Sequence, residues 1–198
     1  MFQRFLDLPA LAAARSFFLL GPRQTGKSTL LRASFPDALF FDLLDAQTFR
    51  SLAASPALIG DRSRALKGRR PVVILDEIQK LPELLDEVHR LMERDKGLRF
   101  ILTGSSARKL RTRGRNLLGG RAGMVRMHPI VFPELGTVSP RRPWTELLRW
   151  GGLPSVLDSE TPKEDLQAYV GLYLQRKSAR RDSRARSRTS PDSSRPRP

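Results

Sequence analysis

Residues Gly21-Pro22-Arg23-Gln24-Thr25-Gly26-Lys27-Ser28 match the pattern G-x-x-x-x-G-K-[ST]. Each fixed position has a physical reason. Gly21 and Gly26 allow backbone geometry that a side chain would obstruct, so consecutive N–H groups can turn toward phosphate oxygens. A helix expected from about Lys27 adds its positive N-terminal end. The Lys27 ammonium is expected to reach the β- and γ-phosphates as a point charge, and the Ser28 hydroxyl to ligate Mg²⁺. The candidate nucleotide contacts are therefore Gly21, Pro22, Arg23, Gln24, Thr25, Gly26, Lys27, Ser28 and Thr29, and the expected ligands are ATP and Mg²⁺.

A metal-bound triphosphate needs an acid, and the sequence offers one. The apolar run Val72-Val73-Ile74-Leu75 leads into Asp76-Glu77, a hydrophobic strand and then acids, as in a Walker B motif. Asp76 is the candidate second metal contact, through water, beside Ser28. Glu77 is the candidate that polarises an attacking water, which favours hydrolysis over transfer to another acceptor. The plainer reading, that Asp-Glu caps the next helix, is weakened by the position of the pair at the C-terminal end of a predicted central strand. After the next strand comes Thr103-Gly104-Ser105-Ser106, where a hydroxyl can touch the γ-phosphate and the water. Ser105 is the first candidate and Thr103 the second; a helix cap near Ala107 is the competing reading.

Between Arg108 and Arg126 there are seven basic residues and no acid: Arg108, Lys109, Arg111, Arg113, Arg115, Arg121 and Arg126. Arg121, after Gly119-Gly120, is the candidate arginine finger. The others read mainly as a solvated face, with contact to a polyanion as the lesser alternative. His89 reads as a surface residue of an amphipathic helix.

Positioning these groups requires strands that end at the loop and helices that lead away from it. Ser16–Leu20 reads as a buried strand stopping at Gly21, and Lys27–Ala33 as a helix ended by Pro36. Ala38–Phe41 is a short strand candidate and Ala46–Ala54 a helix, and Pro56 and Gly60 are expected to break the segment after it. Val72–Leu75 has the β-branched character of a strand buried on both faces. After Pro82, residues Leu84, Leu85, Val88, Leu91 and Met92 mark one face of a helix ending near Gly97. Arg99–Thr103 is the next strand, Ala122–Met127 another candidate, Trp144–Trp150 a short helix and Lys163–Leu174 an amphipathic one. Strands alternating with helices predict βαβ units and a mostly parallel sheet.

The 198 residues contain no cysteine, which excludes disulfides, thiolate metal sites and a cysteine nucleophile. The longest apolar runs are strand-length and the amino-terminal stretch is interrupted by Arg4, Asp7 and Arg15, so neither a membrane span nor a secretory signal is expected. A cytoplasmic protein is the expectation. The net charge of +16 is unevenly placed, because residues 176–198 hold nine Lys/Arg against two Asp/Glu. That segment lacks Val, Ile, Leu, Met, Phe, Tyr and Trp, and is expected to be disordered.

Taken in series, GPRQTGKST, VVILDEIQKLPELLDEVHRLME, FILTGSSARKL, LLGGR, HPIVFPEL and GGLPSVL resemble prokaryotic AAA+-like ATPases of the AAA_14 type, which normally precede a DUF4143 domain. The resemblance covers roughly residues 1–175. It implies an α/β P-loop NTPase of the ASCE class, with a mostly parallel central sheet flanked by helices, then a short helical segment and a disordered tail. It carries Lys27, Ser28, Asp76, Glu77 and a sensor at Ser105 onto matching positions. The expected organisation is an ATPase domain over 1–135, a helical segment over 136–175 leading toward a missing C-terminal domain, and a basic tail over 176–198. Where AYVGLYLQR departs from the family into Arg, Ser and Pro, a frameshift is the expectation, with a real nucleic-acid-binding tail as its rival.

The leading expectation is a Mg²⁺-dependent ATP hydrolase that acts as a nucleotide-driven switch on a protein client or on a second copy of itself. A nucleic-acid-binding module that keeps a P-loop is the alternative from another class, weakened by the lack of aromatics among the basic residues. A hydrolysis-defective nucleotide-binding fragment is the third. A small-molecule kinase is disfavoured by Glu77 and by the lack of an evident lid, and guanine specificity by the lack of an Asn-Lys-x-Asp signature.

Overall fold

The computed structural model describes residues 2–66, 71–105, 118–136 and 143–171. The expected tail at 176–198 and most of the basic stretch, 106–117, lie outside them.

Apolar, largely β-branched or aromatic segments form five parallel strands: β1 (Phe17–Leu20), β2 (Leu39–Asp42), β3 (Val72–Asp76), β4 (Arg99–Gly104) and β5 (Gly123–Arg126). Their order across the sheet is β2-β3-β4-β1-β5, so β4 is inserted between the strand that feeds the glycine-rich loop and the strand that ends in Asp76. Parallel neighbours require crossovers, supplied by helices α2 (Lys27–Ser34), α3 (Ala46–Ala54), α4 (Leu58–Ser63) and α5 (Leu84–Arg94). The mostly parallel sheet expected from the alternation of strands and helices is present.

Because side chains alternate along a strand, each of β1 to β4 serves two cores. Phe18, Leu20, Val73, Leu75, Phe100 and Leu102 face α3, α4 and α5, where they meet Leu52, Ile59, Leu85 and Val88. Phe17, Leu19, Ile74 and Ile101 face the other way, onto Leu31 of α2 and onto Leu8 and Ala12 of α1 (Leu8–Ala14).

Two elements differ from expectation. Helix α1 occupies a stretch for which the sequence pattern predicts no element; the Asp7 side chain accepts the Ala10 N–H at 2.9 Å and Pro9 lies in the first turn, a start signal readable in Asp-x-Pro. Gly60 does not break the chain but lies inside α4. A methyl there would meet Leu91 Cδ2 at 3.0 Å, so glycine lets α4 lie close against α5 and its local cost is offset by packing.

Beyond β5 the chain forms α6 (Phe132–Leu135), α7 (Thr145–Trp150) and α8 (Pro154–Leu157), and then helical residues at 162–171. Ile130, Leu135 and Leu157 gather around Phe2 in a third, smaller cluster, with Leu147 and Trp150 packed against it. The Ile130 N–H donates to the Gly152 carbonyl at 2.6 Å, so this region is tied to the chain as it leaves the sheet. No helix among the described residues is long and apolar enough to cross a membrane.

Candidate functional site

The glycine-rich loop begins where β1 ends. The register pairs Leu20 with Gly104 on one side and with Arg126 on the other, so the loop emerges between the C-terminal tips of β4 and β5. A methyl group on Gly21 would lie 2.2 Å from the Met127 carbonyl oxygen, so only glycine fits beneath that chain. Gln24 and Gly26 have φ of 62° and 84°, left-handed turns that fold the loop back into the start of α2. Thr25 is fully buried and its hydroxyl donates to the Pro22 carbonyl at 2.9 Å, bracing the loop from within. Pro22, Arg23, Gln24 and Thr29 are exposed.

Lys27 is only 6 % exposed and its ammonium donates to the carbonyls of Gly21 and Pro22 at 2.9 and 2.7 Å. Burial lowers its pKa from the usual lysine value; the charges of Glu77 and then Asp76 oppose that shift, and Arg23 adds to it. The charge thus lies buried inside the loop, close to two acids.

Facing the loop, Asp76 is the last residue of β3 and is buried. Its Oδ2 accepts the Ser28 hydroxyl at 2.5 Å, joining the start of α2 to the tip of β3. The Thr103 hydroxyl from the intervening β4 donates to Asp76 Oδ1 and accepts the Glu77 N–H at 2.9 Å. One fully buried hydroxyl therefore fixes both acids. Of the two hydroxyl candidates on this strand, Thr103 makes these contacts; Ser105 comes after Gly104 at the strand tip and is partly exposed.

Glu77 has φ of 59°, a left-handed backbone that turns its side chain out of the line of β3. The Gln79 side-chain amide donates to its Oε2. Gln79 lies in the VVILDEIQKLPELLDEVHRLME block, but the sequence assigns it no role. A methyl on Gly104 would lie 2.6 Å from Gln79 Oε1, so glycine at the tip of β4 makes the room that Gln79 occupies.

Arg121 is not brought to the loop. It precedes β5, and the next residues place Gly123 beside Phe17 at the N-terminal edge of the sheet, whereas the loop leaves the C-terminal edge. Its guanidinium pairs with Glu93 in the last turn of α5 at 2.8 Å. A strand separates it from the phosphate side, so it cannot act as a finger on the loop of its own chain. Arg126, from the same basic stretch, does lie at the loop edge, opposite Leu20. His89 is a surface residue 3.4 Å from Glu93.

Two residues to which the sequence assigns no role, Arg4 and Ser155 of the GGLPSVL block, reach the loop from far away. The Arg4 Nη1 donates to the Thr25 carbonyl at 2.9 Å, and Arg4 pairs with Glu134 of α6 at 3.1 Å, both side chains being buried. From the C-terminal region, the Ser155 hydroxyl lies 3.3 Å from Gln24 Oε1.

The oxygen-only groups of Ser28 and Asp76 have the chemistry of a hard divalent cation site. Loop amides and a buried ammonium on the other side suit an anion of high charge.

A family model described as an AAA domain (AAA_14) matches residues 13–136. Uncharacterized proteins of Mycobacterium bovis and Mycobacterium tuberculosis are each 28 % identical over 174 residues, which is 84 % of this chain and 37 % of theirs. The chain thus spans little more than a third of the length of these relatives. Among solved structures, the Walker-type ATPase PABY2304 of Pyrococcus abyssi is similar with a TM-score of 0.62 at 19 % identity, over 94 % of this chain and 77 % of that one. The Aeropyrum pernix ORC1 protein, solved in complex with DNA, is similar at a TM-score of 0.45 and 17 % identity, over 68 % and 47 %.

Proposed function

The chain belongs to the AAA domain family, and on that premise we propose that it binds ATP with Mg²⁺ and hydrolyses the γ-phosphate, using its nucleotide state to switch an attached region or partner. The observation that carries this reading is the contact of Ser28 with Asp76 at 2.5 Å, with Thr103 joining Asp76 to the Glu77 backbone.

The roles derive from the chemistry of each group. Lys27 and the loop amides hold the phosphates and offset their charge, which is preorganised stabilisation of the kind that lowers barriers most. Ser28 and Asp76 hold the cation, which when bound neutralises charge developing on the phosphate oxygens. Glu77 orients a water and takes its proton, a contribution of about 10²–10⁴ in rate for general bases of this kind. Thr103 positions Glu77 and Asp76 together. The switch is supported by the contact between Ser155 and Gln24, which links the C-terminal region to the exposed crown of the loop.

Phosphate release from ATP by the purified chain tests the reading, with Lys27→Ala and Glu77→Gln beside it. Lys27→Ala is expected to lose nucleotide binding. Glu77→Gln is expected to bind ATP like the parent and to turn over about a hundred-fold more slowly or worse. A Glu77→Gln chain that hydrolyses like the parent removes Glu77 from the mechanism.

A further inference from the structure

Arg4 is a buried charge with too many partners to be an ordinary surface arginine. Its side chain is 7 % exposed, and that of its counter-ion Glu134 is 6 % exposed. Burying such a pair is costly unless further hydrogen bonds satisfy both ions. Here they do. Arg4 donates through Nη1 to the Thr25 carbonyl at 2.9 Å and through Nη2 to the His128 carbonyl at 2.5 Å. Glu134 accepts the N–H groups of Phe5 at 2.9 Å and Val131 at 3.2 Å. Two segments far apart in sequence, around Arg4 and around 128–134, are thereby locked to each other and to the glycine-rich loop.

We propose that Arg4 is a positioning residue for nucleotide binding, acting through the Thr25–Gly26 peptide. In a trans peptide the C=O and the next N–H point in opposite directions. Arg4 holds the Thr25 carbonyl on the outer side of the loop, which turns the Gly26 N–H inward, toward the position of the phosphates. Gly26 is the N-cap of α2, so its N–H has no partner inside the helix. The second contact braces the other end of the loop. His128 comes directly after Met127, whose carbonyl presses against Gly21 and whose N–H donates to the Leu20 carbonyl at 2.8 Å. A planar guanidinium can serve both carbonyls and a carboxylate at once; a lysine ammonium cannot match that fork.

This inference rests on the nucleotide-binding reading, and the test separates the two. ATP affinity is measured by calorimetry in the presence of Mg²⁺, beside thermal unfolding without nucleotide, for the full chain and two variants. Arg4→Met/Glu134→Gln removes both charges while leaving a carbonyl to accept a backbone N–H. Arg4→Lys keeps the charge opposite Glu134 but loses the fork. Both are expected to weaken ATP binding roughly ten-fold or more, with KM rising more than kcat falls, while the chain stays folded at the assay temperature. A folded double variant that binds ATP like the parent overturns the proposal. Where the double variant does not fold, parent-like affinity in Arg4→Lys does the same. A parent chain that binds no ATP overturns the nucleotide reading itself.

Discussion

The Ser28 hydroxyl and the Asp76 carboxylate, 48 residues apart in the chain, meet at 2.5 Å between the start of α2 and the tip of β3. Either partner alone is a weak cation ligand; together they define a place for one. Ser28→Ala and Asp76→Asn are each expected to lower phosphate release about a hundred-fold or more, with a shift to higher Mg²⁺ requirement. Chelation of divalent cations is expected to stop turnover in the parent. Turnover that continues in excess chelator excludes a metal role for this pair.

Thr103→Val keeps the shape of the side chain and removes its hydroxyl. The Glu77 N–H then loses its acceptor and Asp76 loses a donor inside the protein, at a cost of about 1–3 kcal/mol. Denaturant unfolding is expected to record that loss. Turnover should fall further than stability alone explains, because the geometry of Glu77 depends on the same oxygen. Valine kinetics equal to those of the parent at saturating ATP would assign Thr103 to the fold only.

Much of the site is legible in the sequence, and the gaps have causes. The glycine-rich loop, the acid pair and the strands that carry them are local patterns whose periodicity survives in the fold. Ser105 and Thr103 are both hydroxyls near a strand tip, so composition cannot rank them; the register of β4 against β3, which pairs Leu102 with Leu75, puts Thr103 beside Asp76, where its hydroxyl meets both acids. Arg121 stands out by composition, yet a residue that enters a parallel strand must sit at the edge away from the loop, and its position before β5 carries that information. Glu134 lies in the HPIVFPEL block, yet its pairing with Arg4 leaves no signal, since a contact between residues so far apart in the chain has no local signature, and a single arginine near an amino terminus looks like any other.

Two glycines of the loop separate crowding from backbone conformation. Gly21→Ala forces a methyl to within 2.2 Å of backbone, the Met127 carbonyl oxygen, which no side-chain rotation relieves. A loss of about 1–3 kcal/mol and failure to bind ATP are expected. At Gly26 the nearest atom to an added methyl is Met127 Cε at 4.0 Å, so Gly26→Ala is opposed mainly by its φ of 84°. Its expected cost is smaller, roughly 1–2 kcal/mol. Paired denaturant curves distinguish the two.

The pH dependence of stability has a contribution from Asp45, which caps α3. Its carboxylate accepts the Thr48 N–H at 2.7 Å, and that backbone hydrogen bond holds its pKa below the usual aspartate value of 3.8. The folded chain therefore binds this proton less readily than the unfolded chain. The cap's contribution is complete above the ordinary aspartate range and is lost as pH falls through the lowered folded value. Comparing the melting midpoints of Asp45→Ala and the parent should give a gap near neutrality that narrows in strong acid; a constant gap would contradict this.

Glu77 sits at φ 59°, where a residue other than glycine or asparagine is at a disadvantage. Glutamate there trades robustness for reach. Glycine in its place is expected to give a hardier but inert chain, since the backbone would relax while the carboxylate disappears. A screen that rewards only heat resistance would thus drift toward losing this acid, and one that rewards only turnover would keep the bend it sits on.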